Sequence, residues 1–167
     1  MDADIERLAQ RVGVALSGYG YMLATAESCT GGGVAAAVTS VPGSSGWFER
    51  GFVTYSNAAK RDLLGVREAT LDAHGAVSEA TVREMAAGAL RHSAAQVAVA
   101  VSGIAGPDGG SAEKPIGTVC LAWDGAGLPA RSETRHFPGD RAAVRRQAVA
   151  AALAGVIEIV GQRRGKL

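Results

Sequence analysis

The 167-residue chain is sparing with the residues that mark several protein classes. It has two cysteines, Cys29 and Cys120. That is too few for a disulfide-stapled scaffold, and the simplest reading is a cytoplasmic chain with free thiols. Aromatics make up 5% of residues, which argues against a stacking platform for single-stranded nucleic acid. Lysine plus arginine (17) nearly balance aspartate plus glutamate (16), so a net charge of +1 lacks the basic excess of a nucleic-acid binder. The three histidines, His74, His92 and His136, are far apart and share no metal-ligand spacing. No apolar run reaches the roughly 18 residues of a membrane span. The acidic, amphipathic start, Met1-Asp2-Ala3-Asp4-Ile5-Glu6, does not resemble a signal peptide.

What remains is apolar and rich in glycine: 47% hydrophobic residues and 23 glycines in a length that suits one domain with a real core. Ile5, Leu8, Ala9, Val12 and Leu16 recur at helical spacing and predict a helix over about 3–18, stopped by Gly18 and Gly20. A strand is expected over 21–26, a helix over 31–39, a loop over 40–46 and a strand over 47–55. Asn57 is placed to cap a short helix ending at Leu64, and a further helical piece covers 67–74. Ser78 is the expected N-cap of a helix over 79–92. A central strand is predicted over 96–102, a long polar loop over 103–115, and strands over 116–123 and 130–137 joined by a hairpin. A long alanine-rich helix over 140–160 and a basic tail complete the chain. Early alternation of helix and strand with a closing hairpin implies a single three-layer α/β/α domain with a mixed sheet, spanning 1–167.

The chemistry concentrates in Thr25-Ala26-Glu27-Ser28-Cys29-Thr30-Gly31-Gly32-Gly33, a strand-to-helix turn that gathers a hydroxyl, a thiol, a carboxylate and three glycines. Ser28 is a candidate nucleophile but needs a base. Lys60 can serve if burial lowers its pKa, with Tyr55 as a possible relay. A lysine on a short helix is also commonly just a solvated side chain. Cys29 is a rival nucleophile, and Glu27 either orients Lys60 or caps a nearby amide. A second glycine-rich segment, Ser102-Gly103-Ile104-Ala105-Gly106-Pro107-Asp108-Gly109-Gly110, follows the central strand and would face the same sheet edge if the strands are parallel. It is neither a P-loop nor a dinucleotide fingerprint. Arg141 and Arg145, four apart on one helix face, suit a phosphate or carboxylate, although a solvated first turn capped by Asp140 is the plainer reading.

These stretches, with Trp47 to Asn57, His74 to Ser78 and Lys114 to Val119, resemble the CinA C-terminal domain family, over nearly the whole chain. The stand-alone members of that family are nicotinamide mononucleotide amidohydrolases. Its larger members carry an additional N-terminal domain for which this chain has no room. The resemblance implies deamidation of the nucleotide by a serine–lysine mechanism, with Ser28 as nucleophile, Lys60 as base and Tyr55 beside them. No metal or other cofactor is implied. Gly31 and Gly32 would supply oxyanion N–H groups beside Thr30, and Gly103, Ile104, Ala105 and Gly106 with Arg141 and Arg145 would hold the nucleotide. The expected partners are this small molecule and a second copy of the chain. The rival readings are a non-catalytic nucleotide-binding or regulatory module and a cysteine amidase using Cys29.

Overall fold

Valine alternates with alanine along the central strand, and this decides how the layers stack. The computed structural model describes residues 2–164. In β3 (Val97–Gly103), Val97, Val99 and Val101 point to one face and Ala98 and Ala100 to the other. The valine face meets α1 (Ala3–Ser17), α2 (Gly33–Thr39) and α6 (Arg141–Arg164), whose contributions include Val12, Leu16, Val38, Leu153 and Val156. The alanine face meets α3 (Asn57–Leu64), α4 (Glu68–His74) and α5 (Glu79–Arg91) through Leu64, Leu71, Val82 and Met85. Small residues on that side let helices approach closely. A Cβ on Gly88 of α5 would stand only 1.9 Å from the Leu64 carbonyl oxygen. The three-layer arrangement is the one expected.

The sheet has five strands in the order β2-β1-β3-β4-β5. β1 (Leu23–Glu27) lies parallel to β2 (Phe48–Val53) and to β3. β4 (Thr118–Gly125) and β5 (Leu128–His136) continue the sheet antiparallel, which makes it mixed. From β1 the chain moves to β2 on one side, then crosses to β3 on the other. β1 therefore ends at a topological switch point, where open α/β sheets form their crevice.

Several boundaries differ from the sequence expectation. β1 starts at Leu23, not Tyr21, and Tyr21 stacks on Tyr19 with ring centroids 5.3 Å apart. The hairpin strands are displaced: β4 lies two residues later than expected, β5 starts two residues earlier and ends one earlier, and the connection is the pair Ala126-Gly127, with Gly127 at φ +73°. The α3 cap is Ser56, whose hydroxyl accepts from the Ala59 N–H at 3.0 Å; the expected cap, Asn57, is the first helical residue. α6 runs on to Arg164, so the predicted basic tail begins as helix, and its last three residues lie outside the described range.

Candidate active site

Register explains which loops meet. Glu27 at the end of β1 sits opposite both Val53 and Val101, so the turn after β1, the entry to α3 and the loop after β3 emerge on one sheet edge. Two hydrogen bonds fix that edge: Thr54 N–H to Glu27 O at 2.8 Å and Ser28 N–H to Val101 O at 2.9 Å. β5 also ends there, which brings the start of α6, with Arg141 and Arg145, over the same edge.

Ser28 and Lys60, 32 positions apart, meet directly: Lys60 Nζ is 3.0 Å from Ser28 Oγ. It also donates to the Thr54 carbonyl at 2.7 Å. Lys60 is 1% exposed, on the face of α3 that also buries Leu64. Burial disfavours the ammonium and lowers its pKa below the 10.5 of an ordinary lysine, against a smaller opposing effect of Cys29. A neutral amine in this position can donate to Thr54 while its lone pair accepts the Ser28 hydroxyl proton. Cys29 sits beside them, but burial pushes its thiol up to about 11. At neutral pH it stays protonated and is a poor nucleophile.

Glu27 does not touch Lys60. Its buried carboxylate accepts from Thr30 Oγ1 at 2.7 Å, Val34 N–H at 2.8 Å and Ala35 N–H at 3.0 Å, bracing the first turn of α2. Thr30 is therefore a support with a buried side chain. Gly31 and Gly32 adopt φ +59° and +99°, in the left-handed region that favours glycine. The Gly31 N–H already donates to Ser28 O at 3.0 Å, which removes one of the two expected oxyanion donors. The backbone N–H groups of Cys29, Thr30 and Gly32 have no partner among the described residues.

Tyr55 is 60% exposed and its hydroxyl accepts from Arg141 Nη2 at 3.0 Å. It bonds neither Ser28 nor Lys60, and the direct contact between those two leaves no gap for a relay. Arg141 Nη1 also holds the Gly106 carbonyl at 2.9 Å. Arg145 reaches back to the first turn, with Nε 3.1 Å from Cys29 O and Nη2 3.3 Å from Thr30 O. Ile104 binds Thr118 and Gly117 through its own backbone, so it anchors the second loop to β4.

Ser28, Cys29, Tyr55, Lys60, Gly103, Ala105 and Arg141 line a cavity of about 210 Å³. A recess of about 610 Å³ shares Ala105 and Arg141 with it and adds Gly106, Pro107, Ile116 and Arg145. Ser102, Asn57, Ala76 and Val77 complete the inner wall and were not singled out as site residues by sequence reasoning. Ser102 is a buried residue near the end of β3, and Ala76 and Val77 carry no polar signal. A separate cleft of about 580 Å³ between α1 and α6 is lined by none of the site residues.

Fold and site define an α/β protein with a serine–lysine pair at the carboxyl edge of a mixed sheet. The CinA C-terminal domain model matches residues 5–160, and the chain belongs to that family. It is 57% identical over 152 residues to nicotinamide-nucleotide amidohydrolase PncC of Escherichia coli (strain K12), a match covering 91% of this chain and 92% of that protein. The protein of the same name from Pseudomonas putida is 57% identical over 155 residues, 93% of this chain and 96% of its own length. Among solved structures, the competence/damage inducible protein CihA from Agrobacterium tumefaciens superposes with a TM-score of 0.92 at 48% identity, covering 95% of this chain and 97% of that one.

Proposed function

We propose that this chain is an amidohydrolase that converts nicotinamide mononucleotide to nicotinic acid mononucleotide and ammonia, in the recycling of pyridine nucleotides. The names of its 57% identical relatives support the substrate. One observation carries the mechanism: a buried lysine amine with a lowered pKa, 3.0 Å from a serine hydroxyl on the cavity wall.

Neutral Lys60 takes the Ser28 proton as Oγ bonds to the carboxamide carbon. The carbonyl becomes an oxyanion, received by N–H groups of the Cys29–Gly32 turn. Collapse breaks the C–N bond as the Lys60 ammonium gives its proton to the leaving nitrogen, which departs as ammonia. Water then attacks the acyl ester, Lys60 takes a proton from it, and Ser28 leaves reprotonated. The product is the carboxylate. The recess next to the cavity is where the ribose phosphate lies, and Arg141, at the junction of the two, is its cation.

Ammonia release by purified protein tests the reading. Ser28→Ala and Lys60→Met should each lower the rate by about 10³-fold or more, since members of one nucleophile–base unit fail together. Cys29→Ala should keep most of it. Loss with Cys29→Ala and survival with Ser28→Ala would overturn the serine assignment. Nucleotide binding with no turnover in the wild type would favour a binding module.

A further inference from the structure

Arg145 has the position of a phosphate ligand but the bonds of a structural clamp. Its guanidinium lies across the turn after β1 and donates to two successive carbonyls, Cys29 O and Thr30 O. The two residues belong to the segment that carries Ser28, more than a hundred positions away in sequence. Glu27 grips the same turn from the other side through Thr30 Oγ1 and the start of α2. The Cys29 carbonyl and the Thr30 N–H belong to one peptide plane. A charged donor on the carbonyl fixes that plane and polarises its unpartnered N–H.

We propose that Arg145 is a positioning residue of the nucleophile turn, holding the Cys29–Thr30 peptide whose N–H receives the oxyanion, and is not the ligand of the substrate phosphate. This rests on Ser28 being the nucleophile. The planar fork of arginine spans two carbonyls at fixed spacing, whereas a lysine ammonium keeps the charge and loses the geometry.

The test compares Arg145→Lys and Arg145→Met with the wild type on two acyl donors. One is nicotinamide mononucleotide. The other is p-nitrophenyl acetate, which has no phosphate: Ser28 Oγ bonds to the acetyl carbon, its proton goes to Lys60 and p-nitrophenolate leaves, with Ser28→Ala as the blank. Misplaced donors should lower kcat for the nucleotide by about 10- to 100-fold in both variants. KM should stay within about threefold of wild type, the pattern of an interaction made only in the transition state. The Ser28-dependent burst with p-nitrophenyl acetate should slow by a similar factor. Circular dichroism at the assay temperature checks folding, and Arg145→Lys is the milder change should Arg145→Met be unstable. A raised KM for the nucleotide with an unchanged ester burst would make Arg145 a phosphate ligand and overturn the proposal. If wild type releases no ammonia while the Ser28 burst still slows in the variants, the positioning role stands and the amidase reading falls.

Discussion

Lys60 has no carboxylate partner among the described residues, and its amine is held by a hydroxyl and a carbonyl. Such burial is destabilising for the charged form and useful for the neutral one. With a folded-state pKa below 10.5, the folded chain holds fewer protons than the unfolded chain between the two values. Stability from this group therefore rises with pH through that window and levels off above 10.5. Lys60→Met removes the dependence, so its melting temperature relative to wild type should become less favourable as pH rises toward 10.5; a difference that stays constant up to that pH would contradict the lowered pKa. The same shift predicts a kcat/KM that rises with pH as Lys60 loses its proton, below the range of an ordinary lysine. A flat profile from pH 6 to 9 would count against Lys60 as base. At this scale the sequence was legible in identity but not in state. Ser28 and Lys60 were recognisable from their motifs, yet nothing local shows that Lys60 lies against β1 instead of in solvent, because the contact is made by β2 pairing alongside β1.

At the scale of elements, α2 depends on a residue outside it. Gly32 at its start offers no side-chain cap, and Glu27 supplies the acceptors from the end of β1. A carboxylate at a helix N-terminus is stabilised by the free N–H groups it meets. Glu27→Gln keeps the shape and loses the charge, so we expect about 1–3 kcal/mol less stability in chemical denaturation, the range for a buried charged hydrogen bond. A drop in kcat should accompany it, since Ser28 is the next residue. An unchanged denaturation midpoint would rule out the bracing role. The periodicity of α1 and α5 and the alanine content of α6 made these helices readable from sequence, as did the valine–alanine run of β3. The ends were less readable. Hydrogen-bonding serines and glycines offer several neighbouring stops, and pairing with a distant strand or a cap such as Ser56 chooses among them.

For the whole molecule, the long last helix ties the site to the core. α6 begins over the cavity with Arg141 and passes across β4, where Trp123 is buried and its indole N–H donates to Ala152 O at 2.9 Å. Gly155 makes that crossing possible, because a Cβ there would come within 2.0 Å of the Trp123 ring. Gly155→Val should lower stability by at least the 1–3 kcal/mol or so typical of overpacking. It should also move Trp123 fluorescence, and a variant as stable as wild type would show that the helix can shift freely. The mixed sheet was foreseeable from the order of elements. The meeting of four chain segments at one edge follows from strand direction, which the sequence signals only through connection lengths.

The central claim is that Ser28, activated by Lys60, forms a covalent acyl intermediate with the nucleotide. Rapid quenching in acid during turnover of nicotinamide mononucleotide, followed by mass spectrometry of proteolytic fragments, reads it directly. The account predicts an ester-linked nicotinic acid mononucleotide acyl group on the peptide that contains Ser28, absent from Ser28→Ala and unaffected by Cys29→Ala. Turnover with no adduct at any quench time, or an adduct that follows Cys29, would contradict it.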